Sequence, residues 1–290
     1  MKSKVWAKIM LFSATVIWGF SFVVMKDSVS VIPPNYLLAG RFLLAFALLS
    51  VVFANRLKNI DRSYLVGGGI VGAALFASYC AQTFGLTGTT PGKNAFLTAT
   101  YVVMVPFLVW AVKRKRPDMY SFAAAFICIV GIGFVALHGN FTMSYGDALT
   151  LLCGFLFAVH LMCISRFGED KDPILLSIIQ FGTAGILAFI TALIFEKPPH
   201  ELSTGSISSI IFLAVFPTAL GLTFQIVGQK YTEPMSASLI LSLEAVFGIV
   251  FSLAVGMDTM NAKLGIGFAL IFAALIISET KLSFLRKKQL

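Results

Sequence analysis

The sequence predicts an all-α integral membrane protein of ten transmembrane helices, arranged as an inverted five-plus-five repeat. Three observations carry that expectation: apolar runs of spanning length, an alternating distribution of basic residues between them, and an ordered internal match between the two halves. The 290 residues are 58% hydrophobic and 12% charged. A soluble domain is roughly 45–50% apolar and about 25% charged, so a water-soluble fold of this size could not hide so much apolar surface. A bilayer solvates such surface, and the length suits ten runs of about 20 residues with short connections.

The runs fall at Val5–Met25, Pro34–Ala54, Tyr64–Leu86, Gly92–Val112 and Met119–Leu137, then at Gly146–Ser165, Pro173–Phe195, Ser209–Gly228, Met235–Val255 and Leu264–Ser278. Each is continuous rather than alternating, and a helix satisfies its own backbone in lipid, so helices are expected over strands. Turn residues punctuate the connections at Pro33-Pro34-Asn35, Gly88 to Gly92, Pro117-Asp118, Pro198-Pro199 and Glu233-Pro234. The basic start Met1-Lys2-Ser3-Lys4 precedes a run too long for a signal h-region, with no A-x-A site after it. That run is therefore expected to stay as the first helix.

Basic residues set the expected orientation. With the amino terminus inside, inside segments hold 17 Lys and Arg and outside segments hold 4, with Arg41 left within the membrane. The positive-inside rule then places both termini in the cytoplasm of a multi-pass protein of the cell membrane. The net charge of +9 lies between apolar runs, so no basic face remains for nucleic acid. Cys80, Cys128, Cys153 and Cys163 all fall inside apolar runs without metal-type spacing, so neither a metal site nor a disulfide framework is expected.

The halves match in order, and five-helix repeats at 1–140 and 141–290 are expected. Adding 139 takes Pro34 to Pro173, Arg41 to Gln180, Phe42 to Phe181, Trp18 to Phe157 and Ser21 to His160. Adding 143 takes Gln82 to Gln225, Gly85 to Gly228, Thr89 to Thr232, Pro91 to Pro234 and Tyr101 to Glu244. Halves with an odd number of helices, joined in series, run through the membrane in opposite senses. Such a pair offers two states of similar energy, open to either side of a central site.

Glu244 is the most informative residue, because a charge at mid-membrane costs at least about 2.5–3.5 kcal/mol on insertion scales. Its carboxyl suits a proton-coupling role, a contact for a cationic substrate, or a hydrogen bond between helices. His160, mid-run in the sixth helix, is either a second proton-exchanging group or a packing residue. Gln82 and Gln225 share helical faces with Ser78 and Gly85, and with Gly221 and Gly228. Asn94, Thr98 and Tyr101 form a polar stripe in the fourth helix. These suit a cavity wall or a close helix crossing. Trp18 and Gly19 interrupt the first helix, and the indole suits an aromatic-friendly pocket. Trp6 and Trp110 suit the interfacial belt. Pro106 and Pro217 are expected to kink their helices. Arg41 is expected to snorkel outward or to pair with a carbonyl. The substrate-binding candidates are thus Trp18, Ser21, Gln82, Asn94, Thr98, Tyr101, His160, Gln225 and Glu244. The proton-coupling candidates are Glu244 and His160.

Several motif matches carry nothing. Gly67 to Gly72 fits G-x-G-x-x-G but has no βαβ unit around it, whereas Gly68 and Gly72 have helix-packing spacing. The sequon Asn140-Phe141-Thr142 is too common a pattern to use. No zinc-protease, nucleophile-elbow or Walker motif is present, so no cofactor and no ATP-driven step of the chain's own is expected.

The chain resembles the EamA-type branch of the drug/metabolite transporter superfamily. Gln82 to Thr90, with Phe96-Leu97-Thr98, Tyr101 and Pro106, looks like its third and fourth helices. Trp18 to Phe22 and Arg41-Phe42 look like the first and second, and Ser242 to Phe247 like the ninth. Many members have Pro where this chain has Ala245, which is expected to straighten the ninth helix. The resemblance implies a central cavity between inverted repeats and alternating access, usually for export of amino acids, metabolites or drugs. The expected function is therefore a secondary transporter exporting small amphipathic molecules, with protons a candidate drive through Glu244, working as a monomer or homodimer in a lipid bilayer. The alternative is an importer or facilitator of a cationic, choline-like molecule, with Trp18 or Tyr101 giving cation–π contact. A remote alternative is an intramembrane enzyme using His160 and Glu244.

Overall fold

The computed structural model describes residues 2–114, 116–137, 142–168, 170–199, 202–232, 237 and 240–281. Asn140 and Phe141 of the sequon, the boundary at 140/141, Lys115, Pro234, the start of the ninth run at Met235, and the basic residues Arg286 to Lys288 lie outside them. Among the described residues the chain is all helix but for one isolated bridge between Leu137 and Met143. The helices are α1 Lys2–Ser28, α2 Pro34–Val52, α3 Arg62–Thr87, α4 Pro91–Lys113 and α5 Met119–Ala136, then α6 Tyr145–Phe167, α7 Pro173–Phe195, α8 Thr204–Gly228, α9 Leu243–Ala254 and α10 Ala262–Thr280. Nine of them are long and apolar enough to cross a membrane, and α9 is a shorter apolar helix.

Local chemistry starts these helices where the sequence punctuates. Asp61, Thr90, Asp118, Ser144, Asp172, Ser203 and Asn261 each accept a first-turn backbone N–H. Pro34, Pro91 and Pro173 occupy first-turn positions, where the missing N–H costs nothing. The outer faces stay apolar and exposed, as with Phe126 and Ile129 on α5 and Phe189, Leu193 and Ile194 on α7. Lipid rather than water is the solvent for such faces. All four cysteines are free.

Packing crosses between the halves. Helix α1 packs on α8 and α9, and α6 packs on α3 and α4. Helix α2 packs on α7 and α8, and α7 also on α3. Helix α4 also packs on α9 and α5 on α10, and α4 touches α10. Exchanging the first five helices for the second five maps these pairs, α4 with α10 excepted, onto one another.

The exchange holds at single residues. A methyl on Gly85 would lie 2.5 Å from Thr150 Oγ1 and 3.0 Å from the Gly146 carbonyl. One on Gly228 would lie 2.6 Å from Leu11 Cγ and 3.1 Å from the Ala7 carbonyl. Gly85 matches Gly228 at +143, while Leu11 and Ala7 match Thr150 and Gly146 at +139. The α3–α6 crossing sits where α3 ends and α6 begins, and the α1–α8 crossing where α1 begins and α8 ends. Equivalent crossings therefore lie at opposite ends of the bundle, which is the geometry of an inverted repeat. The G-x-x-x-G spacing serves α3 and α7: methyls on Gly68 and Gly72 would meet Ile179 and the Gln180 carbonyl.

Candidate functional site

A central cavity lies between the two halves. Eight predicted residues line it together: Trp18, Ser21, Gln82, Thr98, Tyr101, His160, Gln225 and Glu244. Asn94 does not. It is fully buried between α3, α4 and α6, where its amide donates to Thr150 Oγ1 at 2.8 Å and to the Gln82 carbonyl at 3.3 Å. The stripe on α4 thus divides, with Asn94 joining helices and Thr98 and Tyr101 facing the cavity. Beyond it, a second hollow continues toward the amino-terminal face and shares Tyr101, Leu161 and Gln225. Glu279 lines that continuation, a carboxylate that the sequence placed only near a helix end.

Two broken helices position the deepest polar groups. Helix α4 ends its first part at Ala99 and resumes at Tyr101. The break is an i to i+3 turn, with Thr100 N–H on the Leu97 carbonyl and Val103 N–H on the Thr100 carbonyl. The Thr100 hydroxyl also donates to the Leu97 carbonyl at 2.6 Å. Ser242 makes the matching turn ahead of α9, where Ala245 N–H meets its carbonyl. Tyr101 and Glu244 consequently stand in the first turns of equivalent half-helices. A carboxylate there also faces the positive end of the helix dipole. The break in α4 lies at Thr100, ahead of Pro106, and the turn at Ser242 lies just ahead of α9, with Ala245 inside that helix.

Pro217 does alter its helix. Residues Ala214–Leu222 form a π-helical segment within α8. Proline has no N–H for the Leu213 carbonyl, and the Thr218 hydroxyl donates to that carbonyl at 2.7 Å instead. The widened turn leaves the Pro217 carbonyl to accept Trp18 Nε1 at 2.9 Å. Helix α1 runs unbroken through Trp18 and Gly19, against the expected interruption. The glycine instead admits α9, since a methyl there would lie 2.3 Å from Phe247 Cβ.

Arg41 is the residue whose place the sequence misjudged most. It does not snorkel and, among the described residues, meets no carbonyl; it is 1% exposed and lines the cavity. Its Nε donates to Thr218 Oγ1 at 2.5 Å, and its guanidinium lies 4.5 Å from the centre of the Tyr79 ring. Tyr79 and Phe157, absent from the predicted set, complete an aromatic wall. Their only sequence signal was a place one residue from Ser78, and the match of Phe157 to Trp18. His160 Nε2 lies 3.2 Å from Gln180 Oε1, a contact between α6 and α7. Gln82 donates to Thr98 Oγ1 at 3.3 Å. Among the described residues the Glu244 carboxyl has no hydrogen-bond or ion-pair partner, and no group of metal-ligating side chains occurs.

The model of the EamA-like transporter family matches residues 5–137 and again 144–280. The chain belongs to that family. This transporter is 31% identical to an uncharacterized transporter of Archaeoglobus fulgidus over 94% of its own length and 86% of the relative's. It is 26% identical to a probable amino-acid metabolite efflux pump of Salmonella typhimurium, over 71% and 72% of the two chains. A solved crystal structure with 16% identity superposes on 98% of the transporter and 99% of its own chain with a TM-score of 0.67, which shows the shared fold alone.

Proposed function

We propose that this transporter exports small amphipathic metabolites or amino acids across the cell membrane by alternating access, driven by protons through Glu244. The observation that carries the reading is one carboxyl, without a partner among the described residues, on the wall of a cavity between two halves packed in reversed sense. Reversed halves can exchange their packing and expose the cavity to either face in turn. A carboxyl that binds a proton when one face is wet and releases it when the other is wet couples that exchange to a gradient. The excess of basic residues in the amino-terminal-side loops supports cytoplasmic termini, and the amino-acid efflux named for relatives supports the substrate range and direction.

Purified protein in liposomes is expected to move substrate in response to a pH gradient. Glu244→Gln is expected to lose that response. Transport by the variant with the pH dependence of the wild type would sink the coupling role. The reading as importer of a simple cation is weaker, because Arg41 stands in the same wall and repels one. An enzyme using His160 with Glu244 is also disfavoured, because the imidazole contacts Gln180.

A further inference from the structure

We propose that Arg41 is the substrate-recognising cation of the cavity and that it selects molecules carrying a carboxylate; this rests on the transport reading above. The guanidinium is buried at membrane depth, where an unpaired charge is costly. No carboxylate among the described residues pairs with it. Its contacts are the Thr218 hydroxyl, the Tyr79 hydroxyl at 3.4 Å and Met25 Sδ at 3.7 Å. The last two are long, and none brings a negative charge. A guanidinium has five N–H donors in a planar fork, so donors remain for the cavity. That fork matches the two oxygens of a carboxylate.

The fold does not require a guanidinium here. The equivalent position in the second half is Gln180, a neutral amide that spends its oxygen on His160. Thr218 fixes Nε, and the Tyr79 ring sits beside the guanidinium, so the group is held in one orientation before a ligand arrives. Preorganisation of this kind lowers the cost of binding. Glu244 lines the same cavity without pairing with Arg41, so a ligand carboxylate has a cation to itself.

The test compares three probes that share one apolar group suited to the aromatic wall: 3-phenylpropanoate, L-phenylalanine and phenethylamine. Binding is measured by calorimetry on the full chain in detergent, for wild type, Arg41→Gln and Arg41→Lys. The two carboxylates are expected to bind wild type roughly tenfold or more tighter than phenethylamine, the worth of a charge-assisted hydrogen bond. Arg41→Gln is expected to erase that preference, and Arg41→Lys to keep part of it, which a merely structural role would not produce. Phenethylamine binding as tightly as the carboxylates, or no binding of either carboxylate, overturns the proposal. Should Arg41→Gln fail to fold, the probe order on wild type and Arg41→Lys still decides. Flux of the probes in liposomes without a carboxylate preference sinks only the Arg41 role. Absence of any flux sinks the transport reading itself.

Discussion

Where α3 meets α6, Gly85 lies against Thr150 and Gly146; where α1 meets α8, Gly228 lies against Leu11 and Ala7. The two contacts are equivalent by sequence and sit at opposite ends of the bundle, yet different chemistry surrounds them. Beside the first, Asp147 is fully buried and pairs with Lys93 Nζ at 2.5 Å, while the Thr89 hydroxyl donates to the same carboxylate. Asn94 ties Thr150 to the Gln82 carbonyl, and Lys26 donates to the carbonyls of Leu86 and Thr89. Beside the second, the residue matching Asp147 is the exposed Lys8, and the match of Thr89 is Thr232, whose buried hydroxyl has no partner among the described residues. The α3–α6 crossing is thus held by buried directional polar bonds, whereas among the described residues its α1–α8 equivalent is held by apolar contact. Apolar contact lets helices separate with little to re-satisfy, whereas a buried ion pair must be solvated as it opens. The cavity continues toward the amino-terminal end, the side of the α1–α8 crossing.

The largest effect is expected at Asp147. Asp147→Ala strands a mostly buried ammonium and a buried hydroxyl, and breaking such a pair costs about 3–5 kcal/mol. Thermal unfolding in detergent measures it, and a loss no greater than that of Lys8→Ala would erase the asymmetry. A smaller difference is expected between the glycines. Gly85→Ala drives a methyl toward backbone and a fixed hydroxyl, costing about 1–3 kcal/mol, typical of overpacking. Gly228→Ala meets mainly the end of Leu11, which can turn aside, so it is expected to be the milder change. Equal unfolding shifts would mean that both ends are equally rigid. The smallest effect belongs to Lys281, whose ammonium beside Asp118 holds that carboxyl below the usual range. A lowered folded-state pKa adds stability above the unfolded value, lost as pH falls through the folded one. The pair is exposed, so Lys281→Ala is expected to cost no more than about 0.5 kcal/mol near neutral pH and nothing in strong acid.

Much of the site was legible because depth in a membrane helix is written along the chain. Glu244, His160, Gln82 and Gln225 are polar groups far from the ends of apolar runs, and lipid excludes such groups unless something inside receives them. Their turning into one cavity follows from the same exclusion. Asn94 went astray because an inward-facing polar group serves a helix crossing as well as a cavity, and periodicity does not separate the two. Arg41 went astray because its long side chain reaches either way, and only the position of Thr218 and Tyr79 fixes its direction.

The sequence by itself determined the all-helical membrane fold, the twofold repetition and the offsets that pair its residues, because apolar run length and internal likeness are properties of the chain alone. Tertiary structure decided where α4 breaks and where the turn ahead of α9 falls, that Arg41 belongs to the cavity, and that of two equivalent crossings α3–α6 carries the buried polar bonds. Those outcomes depend on which side chains meet across helices distant in sequence, and such meetings are set by packing between surfaces that no single segment describes.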